Sequence, residues 1–136
     1  MMKNKKGFTL IELLIVIAII TILAAGAIVG INPAQRFKQA RNATRWNHMN
    51  SIATAVYSYA VENAGALPDC ISETVGVTTT IDFCSSTLVA TYTTAIPVPP
   101  LAKDGEEYVI ERTADGGIKI TSTAQEAKEA GVELTQ

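Results

Sequence analysis

The sequence has little of the chemistry on which enzymes depend. Only one of its 136 residues is histidine and only two are cysteine, and it contains neither a Gly-x-Ser-x-Gly turn nor a phosphate-binding loop. His48 has no second histidine and no cysteine at metal-ligand spacing, so we expect it at a surface or an interface. These absences exclude the common nucleophilic, phosphoryl-transfer and metal-dependent enzymes. We expect no catalytic residue, no cofactor and no metal site.

Charge is missing from one long stretch near the N-terminus. Residues 13–31 are 19 consecutive uncharged and mostly apolar side chains, and the basic residues Lys3, Lys5 and Lys6 precede them. As a helix this stretch spans roughly 28 Å, which matches the hydrocarbon core of a bilayer. The sequence AAGA at residues 24–27 is similar to a signal-peptide cleavage site, but the apolar run continues beyond it. We therefore predict a membrane-spanning helix.

Acidic residues are missing from residues 13–61 and abundant afterwards. Residues 62–136 contain 12 acidic and 4 basic side chains. The acid-free stretch carries a basic cluster of Arg36, Lys38, Arg41 and Arg45. Three interpretations of the cluster stay open: a solvated face beside phospholipid head groups, a contact with the acidic part of a neighbouring copy, and nucleic-acid binding. Four charges on one helix are not a specific nucleic-acid signal, so we predict no such partner.

A second helical stretch follows the apolar run. Pro33 disfavours a helical conformation at Asn32, so we expect a kink or a locally melted segment there. Residues 34–63 contain no glycine or proline, and their apolar side chains recur at three- and four-residue spacing. This stripe marks the face on which a sheet is expected to pack, and its members are Met49, Ile52, Ala53, Val56 and Ala60.

An antiparallel hairpin is the clearest strand signal. Apolar residues alternate with polar ones on both sides of the turn sequence ADGG, at Tyr108 and Ile110 and again at Ile118 and Ile120. Residues 69–95 are predicted to form a loop with short extended pieces, and the tail is predicted to be weakly helical or frayed. The sequence therefore predicts an α+β protein with a small antiparallel sheet.

The two cysteines, Cys70 and Cys84, lie beyond the apolar segment. A single pair in an exported domain predicts one disulfide. It closes a 15-residue loop and contributes about 3 kcal/mol on the chain-entropy model. The alternative, two reduced and buried thiols, becomes the better interpretation only if this part of the chain stays in the cytoplasm.

A carboxylate, Glu12, stands at the start of the apolar run. One interpretation is an end residue that reaches the membrane interface, where the helix dipole favours an anion. The other is a group that pairs with a specific cation in an assembly. The surrounding sequence KKGFTLIELLIVIAIITILAA resembles the class III signal sequence of type IV pilins and type II secretion pseudopilins. In that family a short basic leader ends in glycine, phenylalanine usually follows, and a glutamate stands four positions later.

The resemblance implies a processing and assembly route. A membrane prepilin peptidase is expected to cleave between Gly7 and Phe8, removing the leader lysines, and to methylate the new amine of Phe8. Glu12 is expected to compensate that amine, on its own chain or on a neighbouring subunit, when subunits leave the bilayer and form a helical filament. Gly26, Gly30 and Pro33 mark the segment that is expected to kink or melt in the filament.

The resemblance also implies a ladle-shaped α+β fold, in which a long helical spine packs by its second half on the sheet. The expected parts are a leader at 1–7, a transmembrane or filament-core helix at 8–31, an amphipathic helix at 32–63 and a globular head at 64–136. Secretion pseudopilins often bind calcium after an Ile-Pro-x-Asp-Pro sequence. This chain has IPVPP at residues 96–100, so a solvated acidic turn is favoured over a cation site at Asp104, Glu106 and Glu107.

Three functions compete at this point. The first is a structural subunit of a type IV pilus-like filament, with copies of itself, the peptidase, an assembly platform and an ATPase as partners. The second is a pseudopilin or minor pilin of a type II secretion or DNA-uptake system. The third, an enzyme on an ordinary anchor, lacks any catalytic motif. We expect a single-pass inner-membrane protein with its head outside the cytoplasm, and an extracellular filament after assembly.

Overall fold

A computed structural model describes residues 7–136, so Lys3, Lys5 and Lys6 of the leader lie outside the described residues. The chain divides into two compact units, Met1–Phe37 and Lys38–Gln136. We refer to them as the N-terminal unit and the C-terminal unit. The first contains an apolar helix, and the second contains a sheet packed on a helix.

Two helices account for most of residues 10–62. Helix α1 is Leu10–Ile31 and helix α2 is Pro33–Glu62. They are separated by Asn32, whose backbone adopts the left-handed conformation with φ 45° and ψ 76°. Asparagine tolerates this conformation better than most residues. The break therefore lies at the residue that precedes the proline, and Gly26 and Gly30 stay inside an intact helix.

One face of α2 is buried within the C-terminal unit. The stripe predicted from spacing is buried throughout, and Arg45 and Ala55 are buried with it. The stripe packs against apolar side chains of the sheet and its connecting segments in one core. The core consists of Met49, Ile52, Ala53, Val56, Ile71, Ile81, Cys84, Leu88, Tyr108, Ile110, Ile118, Ile120 and Leu134.

The sheet has four antiparallel strands in the order β1-β2-β3-β4. They are β1 Thr79–Thr80, β2 Tyr108–Arg112, β3 Ile118–Ser122 and β4 Glu133–Thr135. Strands β2 and β3 form the predicted hairpin, with Ile110 opposite Ile120. Tyr108 and Ile110 of β2 and Ile118 and Ile120 of β3 are buried, as the period-two pattern predicts. The α+β prediction is confirmed.

The connecting segments differ from their predicted form. Residues 69–95 include a 3-10 turn at Ile81–Cys84 and a short helix α3 at Ser85–Leu88, in addition to β1. The tail forms the short helix α4 at Gln125–Glu129, which agrees with the weakly helical alternative predicted for it, and strand β4, which was not predicted. Ala127 and Leu134 are buried against the rest of the unit. Two apolar residues among polar ones gave too weak a periodic signal to predict this packing.

Candidate functional site

Helix α1 begins with a reciprocal pair of contacts between Thr9 and Glu12. Thr9 is the N-cap, and its Oγ1 accepts a hydrogen bond from the Glu12 backbone N–H at 3.3 Å. Oε2 of Glu12 accepts hydrogen bonds from the Thr9 backbone N–H at 2.8 Å and from the Thr9 hydroxyl at 2.7 Å. This is a capping box, which satisfies two backbone donors that the helix cannot satisfy itself. Glu12 is thus held by its own chain at the helix start.

The predicted cleavage site lies just outside this helix. Residues 7–9 have no helical structure and are exposed, and the Phe8 side chain is 92% exposed. Thr9 itself has extended backbone angles, φ −80° and ψ 152°. The Gly7–Phe8 peptide is therefore exposed and non-helical, and Phe8 and Thr9 precede the first helical residue, Leu10.

Helix α1 presents apolar side chains on every face. None of its residues is buried, and it is long and apolar enough, by length and composition, to cross a membrane. A Cβ atom added at Gly26 or Gly30 would meet no heavy atom within 4 Å. The small-residue face at these glycines is open, as is required for close approach of another helix.

A buried ion pair joins α2 to the loop before β2. Arg45 donates from Nε to Oε1 of Glu106 at 2.6 Å and from Nη2 to Oε2 at 3.0 Å, and both side chains are almost fully buried. Glu106 also accepts from the Leu101 backbone N–H at 2.9 Å and the Ser122 hydroxyl at 2.6 Å. Burial favours the protonated carboxyl, but these donors outweigh it and lower the pKa of Glu106.

A second pair extends this network to helix α4. Arg41 makes a bidentate contact with Glu126, from Nε at 2.6 Å and from Nη2 at 2.7 Å. Nη1 of Arg45 lies 2.7 Å from Oε1 of the same carboxylate. The hydrogen bonds from Arg41, helped by Arg45, lower the pKa of Glu126 to about 2. Burial by itself lowers the pKa of Arg45, but its bonds to Glu106 and Glu126 raise it.

The network differs from what the sequence predicts for both of its ends. All three interpretations of the basic cluster have Arg41 and Arg45 face outward, but both are bonded within the C-terminal unit. Glu106 is not part of a solvated acidic turn, because it is 5% exposed. The spacing of the sequence contains this information. Arg45 and Arg41 lie four and eight residues before Met49, which places them on the same face of α2 as the apolar stripe.

The acidic turn offers no built cation site among residues 7–136. No group of three or more histidine, cysteine, aspartate or glutamate side chains in that range could hold a metal ion. The carboxylate of Glu106, one of the three candidate cation ligands, is instead paired with the guanidinium group of Arg45. The loop from Leu101 to Glu106 is held instead by Arg45 and by the bond from Leu101 N–H to Glu106.

His48 lies half-buried beside Tyr108. Its Nδ1 is 2.9 Å from the Tyr108 hydroxyl, and the two rings meet edge to face at 5.9 Å between centroids. Burial lowers the pKa of His48. Burial also raises the pKa of Tyr108 to about 12, with a further contribution from the Glu106 charge. His48, predicted at a surface or an interface, is thus partly buried and packs against Tyr108 within the C-terminal unit.

Cys70 and Cys84 form a disulfide. The bond closes the segment that contains β1 and the 3-10 turn at Ile81–Cys84. Cys84 is completely buried in the core, next to the stripe of α2. The prediction of one disulfide is confirmed, and the link fixes this segment to the core.

Comparison with known proteins bears on the N-terminal unit. The family model described as the prokaryotic N-terminal methylation motif matches residues 2–28, which include Gly7, Phe8 and Glu12. A 62-residue stretch is 45% identical to the type IV wide pilus major component PilA4 of Thermus thermophilus. Over part of its length the chain is therefore similar to type IV pilins, the family that the sequence itself resembles. The matched methylation motif includes the capped start of α1.

The similarity is partial in extent. The stretch shared with the Thermus pilin covers 46% of this chain and 46% of that protein, so the chain spans about half the length of the relative it matches. No solved structure matches the chain.

Proposed function

We propose that this protein is a structural subunit of a type IV pilus-like filament and has no catalytic role. The observation that carries the proposal is the start of α1. There an exposed Gly7–Phe8 bond precedes a capped and almost entirely apolar helix, in which Glu12 is the one charged side chain. Such a helix needs an apolar environment on all sides, which lipid supplies before assembly and other copies supply in a filament.

Processing is proposed to create a positively charged amine on Phe8, which the Glu12 carboxylate then compensates. Cleavage at Gly7–Phe8 by a membrane prepilin peptidase leaves an amine on Phe8, which the same enzyme methylates. An unpaired charge is costly in an apolar filament core, so pairing with Glu12 favours one axial register of neighbouring subunits. Oε2 of Glu12 already accepts two bonds from Thr9, and Oε1 accepts none among the described residues. We propose that Oε1 faces the amine of a neighbour.

The remaining parts of the chain are assigned to the same route. We propose that residues 8–31 anchor the subunit in the inner membrane, that residues 32–63 continue the spine, and that the C-terminal unit stays outside the cytoplasm. The disulfide supports an extracytoplasmic location, since such bonds persist in oxidising compartments. An assembly platform and its ATPase are the proposed partners for extraction from the membrane. In the filament, residues 26–33 are proposed to melt from the break already present at Asn32.

The alternative role is a pseudopilin or minor pilin of a secretion or DNA-uptake system. The buried Arg45–Glu106 pair supports the pilus subunit over a calcium-binding pseudopilin, because the loop it holds needs no metal ion for closure. Abundance separates the remaining possibilities. A major subunit is expected to dominate filaments sheared from the cell surface.

The test is mass spectrometry of sheared filaments together with electron microscopy. We expect this chain to be the main protein of the filaments, with an N-terminus at Phe8 that carries one methyl group. An N-terminus near Ala27 or Ile28 would contradict the proposal, because it would indicate a conventional signal peptide. Filaments in which the chain is only a trace component would assign it the minor role.

A further inference from the structure

The capping box fixes where helix α1 begins. An N-cap residue has non-helical backbone angles, so helix α1 cannot extend through it to the preceding residues while the cap is in place. Thr9 meets this description, and its side chain and backbone are both bonded to Glu12. Without the cap, nothing in the described residues ends the helix at this point, since Phe8 is compatible with a helix.

The position of this boundary matters for the bond that is proposed to be cut. A peptidase must bring its catalytic groups to both faces of the scissile amide, which an exposed and extended segment permits and a helical turn obstructs. Gly7 and Phe8 are exposed and non-helical. They lie directly before the N-cap, so the cap sets the conformation of the bond.

We propose that Thr9 is a positioning residue for leader removal. Its capping box with Glu12 keeps the Gly7–Phe8 bond outside the helix, in exposed, non-helical chain. The inference rests on the proposed function, in which that bond is hydrolysed. In the reaction one water molecule is added to the amide. Its hydroxyl group bonds to the Gly7 carbonyl carbon as the C–N bond breaks. The protons pass to the released nitrogen, so the products are a Gly7 carboxylate and a Phe8 ammonium group. Thr9 forms no bond in this step.

Glu12 thereby has two successive roles that depend on different properties. In the precursor it acts as a hydrogen-bond acceptor for Thr9. In the processed subunit its negative charge compensates the new amine. Glutamine in place of glutamate still completes a capping box but carries no charge, so the two roles can be separated by substitution.

The experiment follows cleavage of the full-length precursor in membranes that contain a prepilin peptidase. The rate at which the Phe8 N-terminus appears is measured by mass spectrometry for the wild type and for four variants. Thr9→Val keeps the shape of the side chain but removes the acceptor. Thr9→Ser and Thr9→Asn keep an N-cap acceptor with different shapes. Glu12→Gln keeps the box without the charge.

We expect Thr9→Val to be cleaved roughly fivefold more slowly. This factor corresponds to the helix stability that is usually lost when an N-cap residue is replaced. Thr9→Ser, Thr9→Asn and Glu12→Gln are expected to stay within about twofold of the wild type, by the same ranking of caps. The amide hydrogen of Glu12, which bonds to Thr9 Oγ1, is expected to exchange faster in Thr9→Val alone. This readout reports the cap directly.

Two results would overturn the inference while leaving the proposed function intact. One is wild-type cleavage of Thr9→Val at Gly7–Phe8. The other is slow cleavage of Thr9→Asn with a protected Glu12 amide, which would show that the peptidase reads the threonine side chain itself. A wild-type precursor that is not cut at Gly7–Phe8 would overturn the proposed function as well, so the two failures are distinguishable.

Discussion

The two units of the chain differ in whether their apolar side chains are buried. Helix α1 has no buried side chain, whereas the C-terminal unit encloses a core in which Met49, Val56 and Ile120 are completely buried. Hydrophobic burial stabilises the second unit within one chain, but it can stabilise α1 only through contacts with lipid or with other chains. The apolar surface of α1 can therefore be buried only by other molecules, whereas the C-terminal unit buries its apolar side chains within its own fold.

The same contrast holds for one carboxylate in each unit. Glu106 accepts hydrogen bonds from Arg45, Ser122 and the Leu101 backbone and is removed from solvent. Glu12 is bonded to Thr9 and leaves one oxygen without a donor among residues 7–136. A buried carboxylate whose oxygens all have hydrogen-bond donors helps to specify one structure. A carboxylate with an oxygen that lacks a donor can still accept a further contact. Substitutions in each unit test whether this contrast is real.

The largest expected effect is on filament yield when the charge of Glu12 is removed. Glu12→Gln is expected to be processed normally but to lower the yield of sheared filaments by roughly tenfold or more, because the Phe8 amine is left uncompensated in an apolar environment. The measurement is the ratio of filament-associated to membrane-associated protein.

Thr21→Ala is the matched control for that change. Thr21 is also polar and lies in α1, but its hydroxyl bonds within the helix to the Ile17 carbonyl oxygen at 2.6 Å. Its replacement is expected to leave filament yield nearly unchanged. Normal yield for Glu12→Gln would return Glu12 to the role of an ordinary helix-end residue.

The next largest effect is on stability when the buried pair of the C-terminal unit is broken. Arg45→Met leaves Glu106 without its main partner, which is expected to lower the free energy of unfolding by about 3 kcal/mol. Urea unfolding of the full chain in detergent, followed by near-ultraviolet circular dichroism, measures this because Tyr108 lies in the core.

The partly exposed pair Lys119–Glu133 supplies the control. Lys119→Met is expected to cost less than about 1 kcal/mol, as is usual for pairs near solvent. The double variant Arg45→Met with Glu106→Gln is expected to recover part of the loss, since no uncompensated carboxylate then remains. Equal effects of Arg45→Met and Lys119→Met would remove the distinction between buried and surface charge here.

A smaller effect is expected from adding one methyl group at a glycine. The Cβ of Gly117→Ala would overlap the Gln136 carbonyl oxygen, so the chain after β4 must move. We expect a loss of about 2 kcal/mol, in the range of overpacking. Faster amide exchange is expected at Ile118 and Gln136, which bond to each other's carbonyls at 2.8 and 3.0 Å.

The corresponding change in the other unit is Gly26→Ala. The added Cβ meets nothing within 4 Å, and alanine is the better helix former by up to about 1 kcal/mol. The isolated subunit is therefore expected to keep its stability. A filament that packs through this face is expected to assemble less well, and unchanged assembly would exclude Gly26 from the helix contact.

The smallest expected effect is on stability in mild acid. The pKa of Glu126 is lowered from 4.5 to about 2 in the folded chain, so its contribution is complete above about pH 4.5 and is lost as the pH falls toward 2. The pKa of His48 is also lowered by burial, which adds a gradual loss below its ordinary value of 6.5. Stability is thus expected to decline slowly below pH 6.5 and more steeply below 4.5.

Two variants test which residue causes the decline in each pH range, and the measurement is the free energy of unfolding as a function of pH. Glu126→Gln is expected to flatten the part below pH 4.5, and His48→Phe the part above it. An unchanged profile in Glu126→Gln would mean that its bonds to Arg41 and Arg45 do not persist in solution.

The sequence by itself determined the features that depend on near neighbours. The capped start of α1 needs only residues 9–12, the break at Asn32 needs only the following proline, and the hairpin needs two alternating runs around one turn. With two cysteines there was a single possible intramolecular disulfide. The family motif is local in the same sense, because its elements lie within a few residues of Glu12.

Only the tertiary structure decided which charges meet. Arg45 and Glu106 are separated by 61 residues and Arg41 and Glu126 by 85, and no local pattern specifies a partner at that distance. The fold brings them together because the stripe of α2 that buries Met49 also points Arg45 and Arg41 toward the same layer. It likewise gives the tail a place as β4, since strand pairing depends on an edge of β3 that only the packed sheet presents.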